Sequence, residues 1–260
     1  MSAEGAVLFA QYAYPPNELG HCGPDGAAAM LLAGQIAEIE RRARRFEGAW
    51  SYLEFLAETL DLDDPLAAEV VEAYWVGSDR LYEVEPAALV ERLEDRFRGQ
   101  PGGTWRDAAA RARAHHSFQV FEVYPWAELL RDGRPAGPAV NVLDRCRIRA
   151  SVVCEVDGET VTVITRPLAW DGSTLCQADA TTERARWCVD GEALIGAPAV
   201  GDVVALHWDW VCDVLTPEQA RRLVELDERQ RRAVGLAGRA DGPPRSPGPR
   251  PPRDLVSSGD

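Results

Sequence analysis

Apolar residues recur every three or four positions through the first half of the chain, which is the spacing of helices with one buried face. Asp25 and Thr104 stand where helix N-caps are expected, and Asp64-Pro65 joins an N-cap to a proline at the first helical position. Residues 1–26 end in a run rich in Pro and Gly, which predicts an ordered loop. The pattern predicts helices at residues 26–46, 50–60, 65–81, 86–98 and 105–115.

After Ser117 the pattern changes to short apolar or alternating runs, which are typical of strands. Residues 118–124 are apolar and β-prone, and a loop at 132–138 marks a predicted domain boundary. The pair Asp157-Gly158 lies between two alternating runs and is a hairpin signal. Strands are predicted at 139–143, 146–156, 160–167, 184–189 and 203–211. Several short strands close together favour a small barrel or sandwich.

Residues 217–234 have the pattern of an amphipathic helix, and residues 235–260, rich in Pro, Gly, Arg and Ser, predict a disordered tail. The sequence therefore predicts an α+β protein. A mostly α-helical N-terminal domain spans residues 1–135 and begins with the Gly/Pro-rich loop. A β-rich domain with a C-terminal helix follows at 136–234, and the tail ends the chain.

The charge of the chain limits the kinds of partner that it can bind. The formal net charge is −14, from 42 acidic and 28 basic residues, and every base is Arg. Such a surface argues against nucleic acid or an anionic membrane as the main partner, because both require a basic face. No apolar run approaches the roughly 18–20 residues that cross a bilayer, and no secretory signal is visible, so we expect a cytoplasmic protein.

Cys146 is the first candidate metal ligand. It stands between Arg145 and Arg147, with Arg149 two residues further along. In a strand the arginines would share one face and Cys146 the other, so we expect them to lower the pKa of the thiol modestly. The alternative is a buried core cysteine, which is the common environment of a free Cys.

His207 is the second candidate. Strand alternation would place Asp209 on the same face as His207, where its carboxylate could orient the imidazole. The alternative is a hydrogen-bonded structural histidine.

Two further clusters lie in the helical half: His21-Cys22 in the Gly/Pro-rich loop, and His115-His116 followed by Glu122. Three of the chain's four histidines fall in these clusters. They suggest a metal site assembled from distant segments. A His pair at a helix end is also favourable without any ligand role, because its charge can interact with the helix dipole.

Three segments of the second half carry a family resemblance. The run from Cys146 to Val163 reads Cys-Arg-Ile-Arg-Ala-Ser-Val-Val-Cys-Glu-Val-Asp-Gly-Glu-Thr-Val-Thr-Val. It resembles the opening of the HypC/HupF family of nickel–iron hydrogenase maturation chaperones, with a cysteine, a short strand and a Val-Asp-Gly hairpin. Residues 201–207 are similar to that family's Gly-Asp-x-Val-x-x-His segment, and residues 215–223 to its final helix.

In that family a small OB-like β-barrel carries an iron atom with cyanide and carbon monoxide ligands. It acts with the protein HypD and delivers the iron to the precursor of the hydrogenase large subunit. The resemblance therefore implies iron as the cofactor, as a unit with two cyanides and one carbon monoxide, held by Cys146 and His207. It implies a HypD-like protein and that precursor as partners. Thiolate and imidazole are suitable donors to such iron.

Three hypotheses of function remain open. The first is an accessory factor in hydrogenase maturation that acts as an iron-centre scaffold or chaperone. The second is an iron-dependent enzyme in the helical domain, which makes or modifies a ligand of that centre. The third is a metal-free adaptor that binds proteins alone. The enzyme would bind its iron through some of His21, Cys22, His115, His116 and Glu122.

Overall fold

Helices build the N-terminal half of the chain, in agreement with the predicted spacing. The structure, a computed structural model, describes residues 2–32, 34–97, 108–131 and 135–236. Thr104 and residues 237–260 of the predicted tail lie outside these ranges. The helices of this half are α1 (Ala3–Glu18), α2 (Ile36–Ala43), α3 (Glu47–Thr59), α4 (Ala68–Trp75) and α5 (Pro86–Arg96), with 3-10 turns at Ala27–Met30, Asp79–Tyr82 and Ala109–Arg111.

Helix α1 extends into the Pro/Gly-rich run that was predicted to be a loop, so that prediction is wrong for residues 14–18. The helix is buried along much of its length, with Phe9 and Tyr12 wholly inaccessible to solvent. Pro15 and Pro16 lie in its last turn. Since proline has no N–H, these two residues cannot donate helical hydrogen bonds to carbonyls of the preceding turn.

Two other predictions for this half of the chain also need correction. The helix predicted at 26–46 is divided into the 3-10 turn Ala27–Met30 and α2, with Gly34 between them, a residue that weakens helix interiors. The β-prone segment 118–124 is helical as far as Val123: α6 (His116–Phe118) continues as a π-helical turn at Gln119–Val123, and all of these helical residues are buried. A short, continuous apolar run does not by itself distinguish a buried helix from a buried strand.

The same ambiguity explains helix α8 (Ala136–Cys146), which follows α7 (Trp126–Arg131) and replaces the strand predicted at 139–143. Ala139 and Leu143 are one helical turn apart and form its buried face. The first strand begins only at Arg149. Cys146 is therefore the last residue of a helix, and its predicted position inside a strand is wrong.

The predicted small β-barrel is confirmed. Seven strands are present in the described residues: β1 (Arg149–Asp157), β2 (Thr160–Thr165), β3 (Leu168–Trp170), β4 (Leu175–Gln177), β5 (Thr181–Arg186), β6 (Val203–His207) and β7 (Trp210–Val214). The barrel closes in the order β1-β2-β5-β7-β6, and β3 and β4 form a separate hairpin. Five strands in a closed barrel agree with the OB-like type. Asp157 pairs with Thr160 across the predicted hairpin turn.

The strand predicted at 203–211 is divided by a tight turn. Trp208 has a positive φ of 57°, and His207 pairs with Trp210 on the other side of the turn. The turn makes His207 the last residue of β6, at the edge of the barrel that faces the helices.

Helix α9 (Pro217–Leu236) follows the barrel, as the sequence predicts. The apolar core is continuous between the two halves: one cluster of buried side chains includes Phe9 and Leu53 from the helices, Trp210 from the barrel and Leu223 from α9. The division into two domains stays a prediction. Within the described ranges, no helix combines the length and the apolar character that crossing a membrane requires.

The contact of α1 with the segment before α4 gives a test of this packing. A Cβ atom on Gly5 would lie 1.9 Å from the carbonyl oxygen of Leu66, so Gly5→Ala must push the backbones apart. We expect it to lower the free energy of unfolding by about 3 kcal/mol. In the control Gly137→Ala, the added methyl meets no atom within 4 Å. Urea denaturation measures both, and equal stabilities would contradict the packing.

Candidate metal centre

His207 is held by a hydrogen bond to helix α1. Its Nδ1 lies 2.7 Å from the carbonyl oxygen of Tyr12. A carbonyl only accepts, so Nδ1 carries the proton and donates it, which leaves a lone pair on Nε2. The Tyr12 carbonyl is available because residue 16, its usual helical donor, is a proline without an N–H. Nε2 is buried and has no hydrogen-bond partner among the described residues.

This arrangement is typical of metal-binding histidines, in which one ring nitrogen donates to a backbone carbonyl and the other binds the metal. Burial and the neighbouring His116 lower the pKa of His207 well below its ordinary value, so the ring is neutral at physiological pH. The predicted contact with Asp209 is wrong, because Asp209 lies in the turn after His207 and its carboxylate lies 3.7 Å from Arg186.

His116 approaches His207 from the helical half. The two rings are 5.2 Å apart and nearly perpendicular. The Nε2 of His116 donates to the carbonyl of Cys146 at 2.8 Å, and its Nδ1 accepts from the Tyr74 hydroxyl at 3.2 Å. Burial lowers the pKa of His116 to about 4, so this ring is also neutral near pH 7.

Cys146 supplies the third donor from the end of α8. Burial raises the pKa of its thiol, with a smaller contribution from the nearby Cys22. The predicted lowering by the flanking arginines is wrong. Arg147 is paired with Asp144 and Asp227, each at 3.0 Å, and Arg149 lies 2.8 Å from Glu183. These carboxylates compensate the charges that were expected to act on the thiol.

The three donors form one cluster. Ligand atoms of His116, Cys146 and His207 all lie within 4.8 Å of one another. The neutral imidazoles can coordinate directly, whereas the thiol must release its proton when it binds a metal. His116 must also give up one hydrogen bond. The Tyr74 hydroxyl can donate or accept, so it supports the imidazole with the proton on either nitrogen.

A cavity of about 680 Å³ opens onto this cluster. It brings together most of the residues singled out in the sequence, which line it as follows: His21, Cys22, His116, Cys146 and His207. Much of the remaining wall is aromatic, with Phe46, Tyr74, Trp75, Tyr124, Trp126 and Trp208. The cavity is larger than an ion requires and falls within the size range of small-molecule sites.

His21 and Cys22 line the cavity outside the cluster of three. The His21 ring is exposed and stacks on Trp208, with ring centres 4.0 Å apart. Cys22 is partly buried, and desolvation raises the pKa of its thiol to about 12.

His115 and Glu122 lie elsewhere. The Nδ1 of His115 accepts from the N–H of Ser117 at 3.1 Å and thereby caps α6. Glu122 is buried and forms an ion pair with Arg111 at 3.0 Å. Neither side chain lines the cavity, so of the ligands suggested for an enzyme in the helical domain only His21, Cys22 and His116 lie there together.

Sequence analysis did not identify Tyr12 and Tyr74, which orient the two histidines. Both contacts are long-range, and neither residue stands in a recognisable motif. Pro16, four residues after Tyr12, was the one available signal, because a proline in a helix leaves a carbonyl free.

The model of a family of unknown function (DUF6390) matches residues 1–239. No curated protein and no solved structure matches the chain.

The buried His115 predicts a loss of stability in acid. Burial lowers its pKa from 6.5 to about 3, so below pH 6.5 the unfolded chain binds a proton that the folded chain does not. The free energy of unfolding therefore falls as the pH decreases from 6.5 towards 4. In His115→Gln, we expect this slope to be smaller by up to about 1.4 kcal/mol per pH unit. Urea titrations across this pH range measure the slope. Equal slopes in the wild type and in His115→Gln would contradict the lowered pKa of His115.

Proposed function

The chain belongs to the DUF6390 family, and we propose that it binds a transition metal through His116, Cys146 and His207. One observation carries the proposal: three donors from distant segments meet within 4.8 Å. The free Nε2 of His207 supports it, because a buried polar atom without a partner costs free energy that a bound ligand would recover. Two imidazoles and a thiolate suit iron, zinc or copper, and not the oxygen-seeking magnesium or calcium.

Within this class we propose an iron unit with cyanide and carbon monoxide ligands. Cys146 and His207, the residues that the HypC/HupF resemblance pairs, line the same cavity. A thiolate and neutral imidazoles are also suitable donors to such iron.

The proposed role is that of a scaffold or chaperone that holds this unit during hydrogenase maturation. A HypD-like protein would supply the iron unit, and the precursor of the hydrogenase large subunit would receive it. The large excess of acidic residues suits docking to basic surfaces on such partners.

Metal content tests the ligand set. We expect the anaerobically purified chain to contain one metal ion per molecule. Cys146→Ser and His207→Gln should each weaken binding by more than the roughly 10–100-fold that the loss of a ligand's hydrogen-bond partner costs. Mass spectrometry of the metal and competition with a chelator measure these effects.

Cys154→Ser is the matched control, because Cys154 is exposed on β1 and lies outside the cavity. It should retain the metal. A wild-type chain without metal, or a Cys146→Ser variant with undiminished affinity, would contradict the proposed site.

Infrared spectroscopy tests the identity of the iron unit. The anaerobic wild-type chain should show cyanide and carbon monoxide stretching bands, and Cys146→Ser should lack them, because the thiolate is the anionic protein donor. Iron without these bands would leave the metal site standing and exclude the diatomic ligands.

A further inference from the structure

Two thiols face the cavity, and only one belongs to the cluster. Cys146 lies beside the histidines, while Cys22 comes from the loop after α1. Hydrogen bonds to its backbone carbonyl and N–H groups hold this loop in place. The Asn17 side chain donates to the carbonyl of Cys22 at 2.8 Å and to that of Pro24 at 2.7 Å, and the N–H of His21 donates to the carbonyl of Pro16 at 2.8 Å.

Side chains also fix the loop against the cavity wall. His21 stacks on Trp208, the residue after His207. Gly23 packs so closely on the Phe46 ring that a Cβ atom would lie 2.4 Å from it. The loop that carries Cys22 is thereby held against the wall of the cavity.

We infer that Cys22 is a transient ligand through which the metal enters and leaves the site formed by His116, Cys146 and His207. This inference rests on the proposed metal binding. Two observations support it: Cys22 lines the same cavity as the cluster without being part of it, and His207 presents a buried Nε2 that lacks a hydrogen-bond partner among the described residues.

The transfer is an exchange of ligands without a redox change. The metal first binds the Cys22 sulfur, whose proton leaves to solvent. The Cys146 sulfur then forms its bond to the metal as the Cys22 bond breaks, and the proton of Cys146 moves to Cys22.

Cobalt(II) is a suitable probe, because its charge-transfer absorption reports thiolate ligation. We expect Cys22→Ser to slow both cobalt uptake and its removal by a chelator by about tenfold, which corresponds to a modest rise in the barrier. The stoichiometry should be unchanged and the affinity should stay within about threefold, because the resident ligands remain. Cys154→Ser should match the wild type in every measurement.

Two outcomes would overturn the proposed role of Cys22 and leave the metal site itself in place. Unchanged rates in Cys22→Ser would remove its role in transfer, and a loss of binding as large as in Cys146→Ser would make Cys22 a resident ligand. Cys22→Ala repeats the test if the serine variant misfolds, which circular dichroism detects. If the wild-type chain takes up no cobalt, both the proposed metal site and the transfer role of Cys22 are wrong.

Discussion

The hydrogen bond from His207 to the Tyr12 carbonyl joins the barrel to helix α1, and the candidate site depends on it. It exists because Pro16 cannot donate to that carbonyl and the tight turn after β6 ends the strand at His207. The bond fixes the tautomer, and the tautomer leaves the lone pair on the nitrogen that faces the cluster. A proline that weakens a helix locally thus determines the chemistry of a residue about 190 positions away.

Polar groups on both sides hold the ring of His116 in the cluster. The carbonyl of Cys146 accepts from His116, so the residue that presents the thiol also orients one imidazole. The Tyr74 hydroxyl holds the other nitrogen of that ring. Such contacts keep the donors close together before a ligand arrives, which reduces the ordering entropy that binding must overcome. The unpartnered Nε2 of His207 is the cost of keeping the site ready.

Much of the barrel could be predicted from sequence, because the alternation of its strands and the Asp157-Gly158 turn are local signals. Helices α1 and α8 could not be predicted in full. The Pro-Pro pair in α1 is typical of a loop, and the short apolar run in α8 is compatible with a helix or a strand. The sequence also identified Cys146 and His207 as candidate ligands, but it did not show which contacts bring them together. Of the adjacent His115 and His116, one caps α6 and the other enters the cluster, a choice that only tertiary packing makes.

A buried charge beside the site limits what the cavity can hold. The Arg149 side chain is almost wholly buried, and it donates to the carbonyl of Trp208, the residue after His207. Glu183 at 2.8 Å and Asp144 at 4.0 Å compensate its charge. These carboxylates are therefore already paired and contribute little to balancing a cation near His207. Compensation of a cation there would therefore depend on the Cys146 thiolate and on ligands that arrive with the metal.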